Sequence, residues 1–341
     1  MRKKRVLLIT HESLVPPENA EKSSDQEMLV WKTEYDVKSA LDELGHEVKV
    51  LGLAFDLGVL REALLEFKPH IVFNLLEEFH YVALYDQHIV GYLELMKQAY
   101  TGCNPRGLML SHDKVLSKKI LSYHRIRTPK FFVVPIGKRK FENKLDFPLL
   151  VKSATEDSSL GIAQASVVRS EKKLSERIEF IHKSIGTDAL IEEYIEGREI
   201  YLGIMGNKRL TTFPLWEVDF TNLPENSEPI ASRKVKWDLK YNKKYKIENK
   251  QAQIQPELQE EIAAYGKRIY RRLHLSGYAR LDFRLKENGK FYLLEANANP
   301  NISEGEDLPE AALSQGLSYP GFIEEILKLG LNYQPEWKKY G

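Results

Sequence analysis

Between Arg280 and Asn301 the chain reads RLDFRLKENGKFYLLEANANPN, and four of its residues, Arg280, Asp282, Glu295 and Asn297, could ligate a hard cation or steady a negative charge. Alternating apolar and polar runs flank Asn288-Gly289, a strong signal for a tight β-hairpin. A two-residue turn there sets Asp282 opposite Glu295 and Arg280 opposite Asn297. It also pairs Leu281 with Ala296, Phe283 with Leu294 and Leu285 with Tyr292 as an apolar, core-covering face. Directly opposed residues have Cβ atoms about 5 Å apart, where like charges are unfavourable. Such a carboxylate pair invites a raised pKa or a bound cation. Asp, Glu and Asn offer only hard oxygen ligands, the set magnesium prefers, and magnesium usually brings substrate phosphates. A surface cluster in which Arg280 and Arg284 neutralise the two acids accounts for the same residues equally well, so the hairpin alone leaves both readings open.

Phosphate chemistry would need cations elsewhere. Lys152 ends the apolar run FPLLV, where a solvated lysine is not the default. The small residues of SATEDSSLG follow it and let backbone N–H groups approach a polyphosphate, although the spacing is not that of a P-loop. Lys114 follows Asp113 in a first helical turn, an unfavourable place for a cation unless an anion is near; an ordinary exposed lysine fits the local sequence as well. LIEEYIEGRE carries Glu192, Glu193, Glu196 and Glu199. Glu192 and Glu199 are placed to hydrogen-bond an adenine amine and ribose hydroxyls if strands enter and leave this stretch; a solvated acidic connector is the plainer alternative.

These residues need a scaffold. RVLLIT, HEVKVLGL and FKPHIVFNLL read as strands separated by helical patterns, with Gly45 where a helix C-cap is wanted. That alternation predicts a parallel, doubly wound α/β unit over roughly the first hundred residues. Beyond it, Ser111 and Asp113 are N-cap types before a helix reaching about His124, and Pro129 introduces a strand. FPLLVKSATEDSSLGIAQASVV reads as two strands, Leu174 to Ser184 as a helix, and the remainder as β-rich with helices at Pro256–Arg272 and Tyr319–Leu329. The basic stretch from Ser232 to Lys250 is the least periodic.

With 341 residues, two or three domains are expected. The net charge of +1 gives no global field for nucleic acid or an anionic membrane. The single cysteine, Cys103, excludes an internal disulfide and fits a reducing compartment. The apolar run Val6–Ile9 is too short for a signal-peptide core, and no stretch is long enough to span a bilayer. A cytoplasmic protein is expected.

Taken in order, HDKVLSKKIL, FPLLVKSATEDSSLGI, LIEEYIEGRE, VKWDLKYN and ARLDFRLKENGKFYLLEANANPN…LPEAALSQGLSY resemble the ATP-grasp superfamily, and within it the D-alanine–D-alanine ligases. PHIVFNLL…GYLELMKQAYTG is similar to that family's N-terminal domain. The resemblance implies an N-terminal α/β domain over 1–104 and two α+β subdomains, 105–190 and 191–341, sandwiching ATP, with a lid at 232–250. It implies an ATP- and magnesium-dependent carboxylate–amine ligase working through an acyl phosphate, on small amino acid or peptide substrates. Lys114 and Lys152 would contact phosphates; Glu192, with Glu193 beside it, the backbone near Ile195, and Glu199 would hold adenosine; and Lys240 would reach the γ-phosphate. Asp282, Glu295 and Asn297 would ligate two magnesium ions, with manganese as an alternative, and Arg280 would stabilise the oxyanion. Ser158 and Tyr241 match positions near the first substrate. A homodimer is the common assembly of such ligases. Trp237, Tyr241 and Tyr245 among basic residues could also form a nucleic-acid platform, but a lid over phosphates fits the rest better. A kinase-like phosphoryl transferase and a nucleotide-binding regulator remain the rival functions.

The pattern departs from the ligases in four places. HESLVPPENAEKSSDQE lacks the family's glycine- and serine-rich loop with its substrate-binding glutamate, for which Glu12 is the available substitute. EEFHYVALYDQHIVG retains only Asp86 and Gly91 of the family's next motif, and NANPNIS puts Asn301 at an oxyanion-hole glycine. The serine that binds the second substrate's carboxylate is replaced by Glu306, next to Asp307, which is electrostatically hostile to a carboxylate. An acceptor other than D-alanine, carrying a cationic or hydroxyl group, is therefore expected.

Overall fold

The computed structural model describes residues 2–20, 23–138, 140–155, 162–225, 227–232, 234–235 and 238–339. Its first unit is the parallel sheet expected from the strand–helix alternation. β1 (Arg5–His11) lies between β2 (Glu47–Leu53) and β3 (Ile71–Asn74). Val6 to Ile9 are fully buried because both faces of β1 are covered. The helix Lys32–Glu43 stops at Gly45, whose φ of +79° and N–H bond to the Asp42 carbonyl make it the left-handed cap residue.

Two antiparallel sheets follow. The smaller has the order β4 (Phe131–Val134), β7 (Ala189–Glu193), β5 (Leu149–Ser153), β6 (Val167–Val168), and its own core of Val134, Leu149, Val151, Leu174, Ile178 and Ile191. The larger runs β11 (Glu248–Gln251), β10 (Trp216–Asp219), β8 (Arg198–Gly206), β12 (Tyr278–Leu285), β13 (Phe291–Ala298), with β9 (Leu210–Thr212) also on β8. Leu7, Ile9 and Leu53 share one apolar cluster with Ile200, Leu202, Ile269 and Leu281, so the parallel sheet and the large sheet pack through a common core.

The hairpin differs from expectation near its turn. Lys286 and Lys290 are joined by a 2.8 Å backbone bond, and Gly289 has φ +77°, so the loop holds three residues and ends on a left-handed glycine. Phe283 therefore faces Leu293, and Leu285 faces Phe291; the expected partners Leu294 and Tyr292 are incorrect. A bulge then inserts Leu294 as an extra residue and shifts the register by one. Past it, Asp282 faces Glu295, Leu281 faces Ala296 and Arg280 faces Asn297, as the sequence predicted.

The basic stretch is partly regular. Asp238 caps the short helix Leu239–Tyr245 through the Tyr241 N–H at 2.9 Å, and β11 adds to the sheet edge along β10. Trp237 and Ser158 lie outside the described residues.

Candidate active site

β12 runs between β8 and β13, and this order assembles the reactive face. Arg280 grips Asp282 with two bonds, Nε to Oδ1 at 2.8 Å and a terminal nitrogen to Oδ2 at 2.9 Å. Its other terminal nitrogen reaches Asp307 at 3.3 Å, and its guanidinium lies 4.6 Å from the Tyr201 ring centroid. Asp307 arrives because Gly203, opposite Arg280 on β8, has no side chain: a Cβ there would lie 2.4 Å from Leu308. Tyr201, Gly203, Trp216, Arg280, Asp307 and Leu308 line a crevice beside the guanidinium. Asn297 donates its amide N–H to Asp282 at 3.0 Å, which turns its carbonyl oxygen elsewhere.

Across from this face stands a buried ionic triad. Glu192, on β7, is wholly buried and meets Lys118 at 2.7 Å through one oxygen and Lys152 at 3.2 Å through the other. Both lysines are buried as well, Lys118 in the helix Lys114–Tyr123 and Lys152 on β5. Burial works against the charge of Lys152, but Glu192, Glu295 and Glu199 outweigh it and hold the ammonium above the ordinary lysine range. Lys118 is pulled below that range, by burial first, with Glu192 only partly compensating. Burial also opposes ionisation of Glu192, and the two lysines reverse that, leaving its carboxyl below the usual value. Glu295 and Glu199 of the large sheet act electrostatically on Lys152, and Glu295 on Lys118.

Lys114 is buried rather than an exposed surface lysine, and its N–H bonds the Ala154 carbonyl at 3.2 Å, just past Lys152. The helix begins as expected, with Asp113 accepting from the Leu116 N–H at 2.8 Å. Ser111 is no cap. It lies inside the helix Pro105–His112, donates to the Ala296 carbonyl at 2.7 Å and accepts from the Ala298 N–H at 2.9 Å, tethering β13.

Glu199 is already occupied. Arg284, directly opposite it on β12, binds one oxygen at 2.7 Å, and Tyr201 donates to the other at 3.0 Å. Arg284 also donates to the carbonyls of Gly197 and Pro229, so the surface cluster with Asp282 and Glu295 that its position suggested does not form. Glu193 accepts from the Lys130 N–H at 3.1 Å, and Ile195 lies half-buried in the β7–β8 connection. Lys240 is exposed, whereas Tyr241 packs into a cluster with Tyr201, Val218, Val235 and Ile247. Asn301 accepts from Thr33 at 3.0 Å and from Ser303, and Glu306 precedes the helix Asp307–Leu313.

Lys118, Ser111, Tyr201 and Arg284 are site residues whose roles sequence reasoning missed. Lys118 had a usable signal: it lies four residues after Lys114 and therefore on the same helix face.

A family model described as "D-ala D-ala ligase C-terminus" matches residues 120–328. D-alanine–D-alanine ligase of Carboxydothermus hydrogenoformans is 30% identical over 268 residues, 74% of this chain and 81% of the relative. An uncharacterised protein, y4sG, of Sinorhizobium fredii is 31% identical over 304 residues, 85% of each chain. The crystal structure of D-alanine–D-alanine ligase from Bacillus anthracis complexed with ATP superposes with a TM-score of 0.75 at 22% identity, covering 99% of this chain and 100% of that one. The VanG D-Ala:D-Ser ligase of Enterococcus faecalis gives 0.69 at 19%, covering 96% and 100%. The fold is therefore that of the ATP-grasp ligases. The chain belongs to the D-alanine–D-alanine ligase family and is an ATP-dependent carbon–nitrogen ligase of that type.

Proposed function

We propose that the protein joins a carboxylate to an amine through an acyl phosphate, with an acceptor other than D-alanine. The observation that carries the reading is that Glu295 and Glu199 of the large sheet act electrostatically on Lys152 of the Lys118–Lys152–Glu192 triad, while Glu295 faces Asp282, which Arg280 grips. In this reading Lys152, Lys118 and Lys114 hold the polyphosphate, and Lys240 covers it from the lid. A substrate carboxylate oxygen attacks the γ-phosphorus and ADP leaves. The amine nitrogen then adds to the acyl carbon, and phosphate departs as the amide forms. Arg280 faces the oxyanion of that addition, where a fixed cation in a site shielded from water contributes most.

Asp282 and Glu295, which face each other across the hairpin, and Asn297, once its amide turns to offer oxygen in place of the N–H it gives Asp282, supply the hard-oxygen donors that suit magnesium. Among the described residues no group of three or more His, Cys, Asp and Glu side chains is placed to hold a metal, so Asn297 is needed to complete that set. When bound, the ion would neutralise phosphate charge; the chain's part is to keep Asp282 within reach through Arg280 and Asn297. In this reading Tyr241, packed against Tyr201, would stand on the first-substrate side.

The altered acceptor rests on Asp307. It is buried and shares Arg280 with Asp282, so one guanidinium already serves two acids where a second carboxylate would approach. Glu306 precedes it. The test is an ADP-release screen over D- and L-amino acids and short peptides, with mass spectrometry of products. ADP release that needs an amine and gives an amide supports ligation, whereas a stable phosphorylated product would make the enzyme a kinase. Robust D-alanyl-D-alanine formation from D-alanine alone would refute the altered acceptor.

A further inference from the structure

We propose that the carboxyl edge of the parallel sheet carries a side-chain subsite for a neutral group that is donor and acceptor at once, a hydroxyl or a primary carboxamide. The inference rests on the ligase reading, because it names the class of substrate that reading leaves open.

The floor of the subsite is His11, the last residue of β1, with 6% of its surface exposed. The Ser13 backbone N–H donates to Nδ1 at 3.3 Å, and the Ser13 hydroxyl lies 2.8 Å from the same nitrogen. An Nδ1 that accepts from a backbone N–H carries no proton, so in the neutral ring the hydrogen is on Nε2. That Nε2–H is buried, and among the described residues no acceptor lies within hydrogen-bond distance of it. The nearest acid is Glu78, with Oε1 3.7 Å away. A buried donor left without a partner is costly, so a bound group that accepts from it gains an interaction the free site does not supply.

The walls are aromatic and are held by a strained turn. His80 and Tyr81 have φ of +56° and +57°, the left-handed region that bulky residues avoid. They form a two-residue turn between Phe79 and Val82, pinned by the His80 N–H to the Ala54 carbonyl at 2.8 Å. The turn brings the Tyr81 ring 5.5 Å from His11 and 5.1 Å from Phe55, and His80 5.3 Å from Phe55. Tyr81 is 64% exposed and Phe55 49%, so these rings gain little burial for the strain they require. Backbone strain of this kind persists where the surrounding structure holds it, and it clusters at functional sites.

The edge faces the ligase centre. Glu77, next to Glu78, acts electrostatically on Tyr278 of β12, and Thr33 and Lys32 bond Asn301 and the Glu304 carbonyl beyond the hairpin.

The polarity of the floor selects the ligand. A cation would meet the Nε2–H donor end-on, and an anion would meet Glu78. A hydroxyl can accept from Nε2–H while donating to Glu78, and a carboxamide can divide the roles between its oxygen and its NH2. The rings cover the carbon body of such a side chain.

The test uses the full-length protein with ATP and magnesium, and measures ADP release with serine, threonine, asparagine and glutamine against alanine, aspartate and lysine, both hands of each. Calorimetric binding of the same probes is measured in parallel. The expected result is a KM or Kd at least about 10-fold lower for one neutral polar probe than for alanine, aspartate and lysine. His11→Ala and Glu78→Ala should raise that KM about 10-fold with kcat within about 2-fold; the exposed Tyr81→Ala should do the same and guards against a His11 variant that fails to fold. Equal affinity across the panel, or no change in Tyr81→Ala, overturns the subsite even if turnover persists. Selective binding without ADP release keeps the subsite and overturns the ligase reading, and absence of both binding and release overturns the subsite.

Discussion

Replacing Glu192 by Gln removes the acid that pairs with two buried lysines, Lys118 and Lys152. At an effective dielectric of about 20, unit charges at 2.7 and 3.2 Å attract by about 6 and 5 kcal/mol, most of it spent on desolvating the three groups. Removing one partner of a buried pair usually costs about 3–5 kcal/mol, because the other charge is stranded. For a chain of this length that is a fall in Tm of roughly 4–7 °C. The loss should depend on pH in a defined direction. Lys118 already sits below the ordinary lysine value, and without Glu192 it falls further, so the folded variant binds fewer protons than the unfolded chain. Stability of the variant relative to wild type must then rise with pH, and its deficit should shrink between about pH 7 and 10. The assay is differential scanning fluorimetry across that range, with KM for ATP measured at pH 7.5. A several-fold rise in KM with the pH-dependent deficit supports a positioning role through the lysines. An unchanged Tm accompanied by lost preference for adenine over guanine would refute it and leave Glu192 as a base-reading residue only.

Glu34 is buried and accepts from Thr10 at 2.7 Å, and burial raises its pKa. Stability from a raised carboxyl is present at low pH and lost as pH climbs through the folded value, so Glu34→Gln should match or exceed wild type at pH 8 and lose that advantage near pH 4; the reverse order in Tm would refute it. Asp219 is held at about 2 by Lys250 and Thr221, tying β10 to β11. Its carboxyl resonance should therefore titrate near 2, returning toward 3.8 in Lys250→Met, and an ordinary midpoint in the wild type would refute the pairing. Burial pushes the Cys103 thiol up to about 12. It should resist a disulfide reagent at pH 8 until denaturant is added, and labelling of the native protein within minutes would contradict the buried placement.

Much of this architecture can be read from residues alone, and the exceptions share a cause. Period-two and helical patterns, the Asp113 cap and the buried character of RVLLIT depend on neighbours in sequence, and these expectations held. The hairpin's facing pairs held for a subtler reason. A three-residue loop displaced the register by one and the bulge at Leu294 displaced it back, so Asp282 still meets Glu295 although the pairs between them differ. Features set by sheet order were out of reach. Arg284 looks like a partner for its own hairpin's acids, yet β8 lies alongside and presents Glu199 directly opposite. Lys118 reads as a solvated helix lysine until the small sheet brings Glu192 under it.

That same order of strands explains why a polyphosphate and a cation would fit between the two antiparallel sheets. On one side Lys118, from the helix Lys114–Tyr123, and Lys152, from the small sheet, converge on Glu192. On the other, Arg280 holds Asp282 and Asp307, and Glu295 faces Asp282. A phosphate chain facing the lysines and a hard cation facing the acids would be matched in sign, and each is also the other's counter-ion. Bound by itself, the polyphosphate would set its remaining negative charge against the acids. The charge pattern thus favours the nucleotide and its metal binding as a unit, and an ATP affinity that did not respond to magnesium would show that this account of the cleft is wrong.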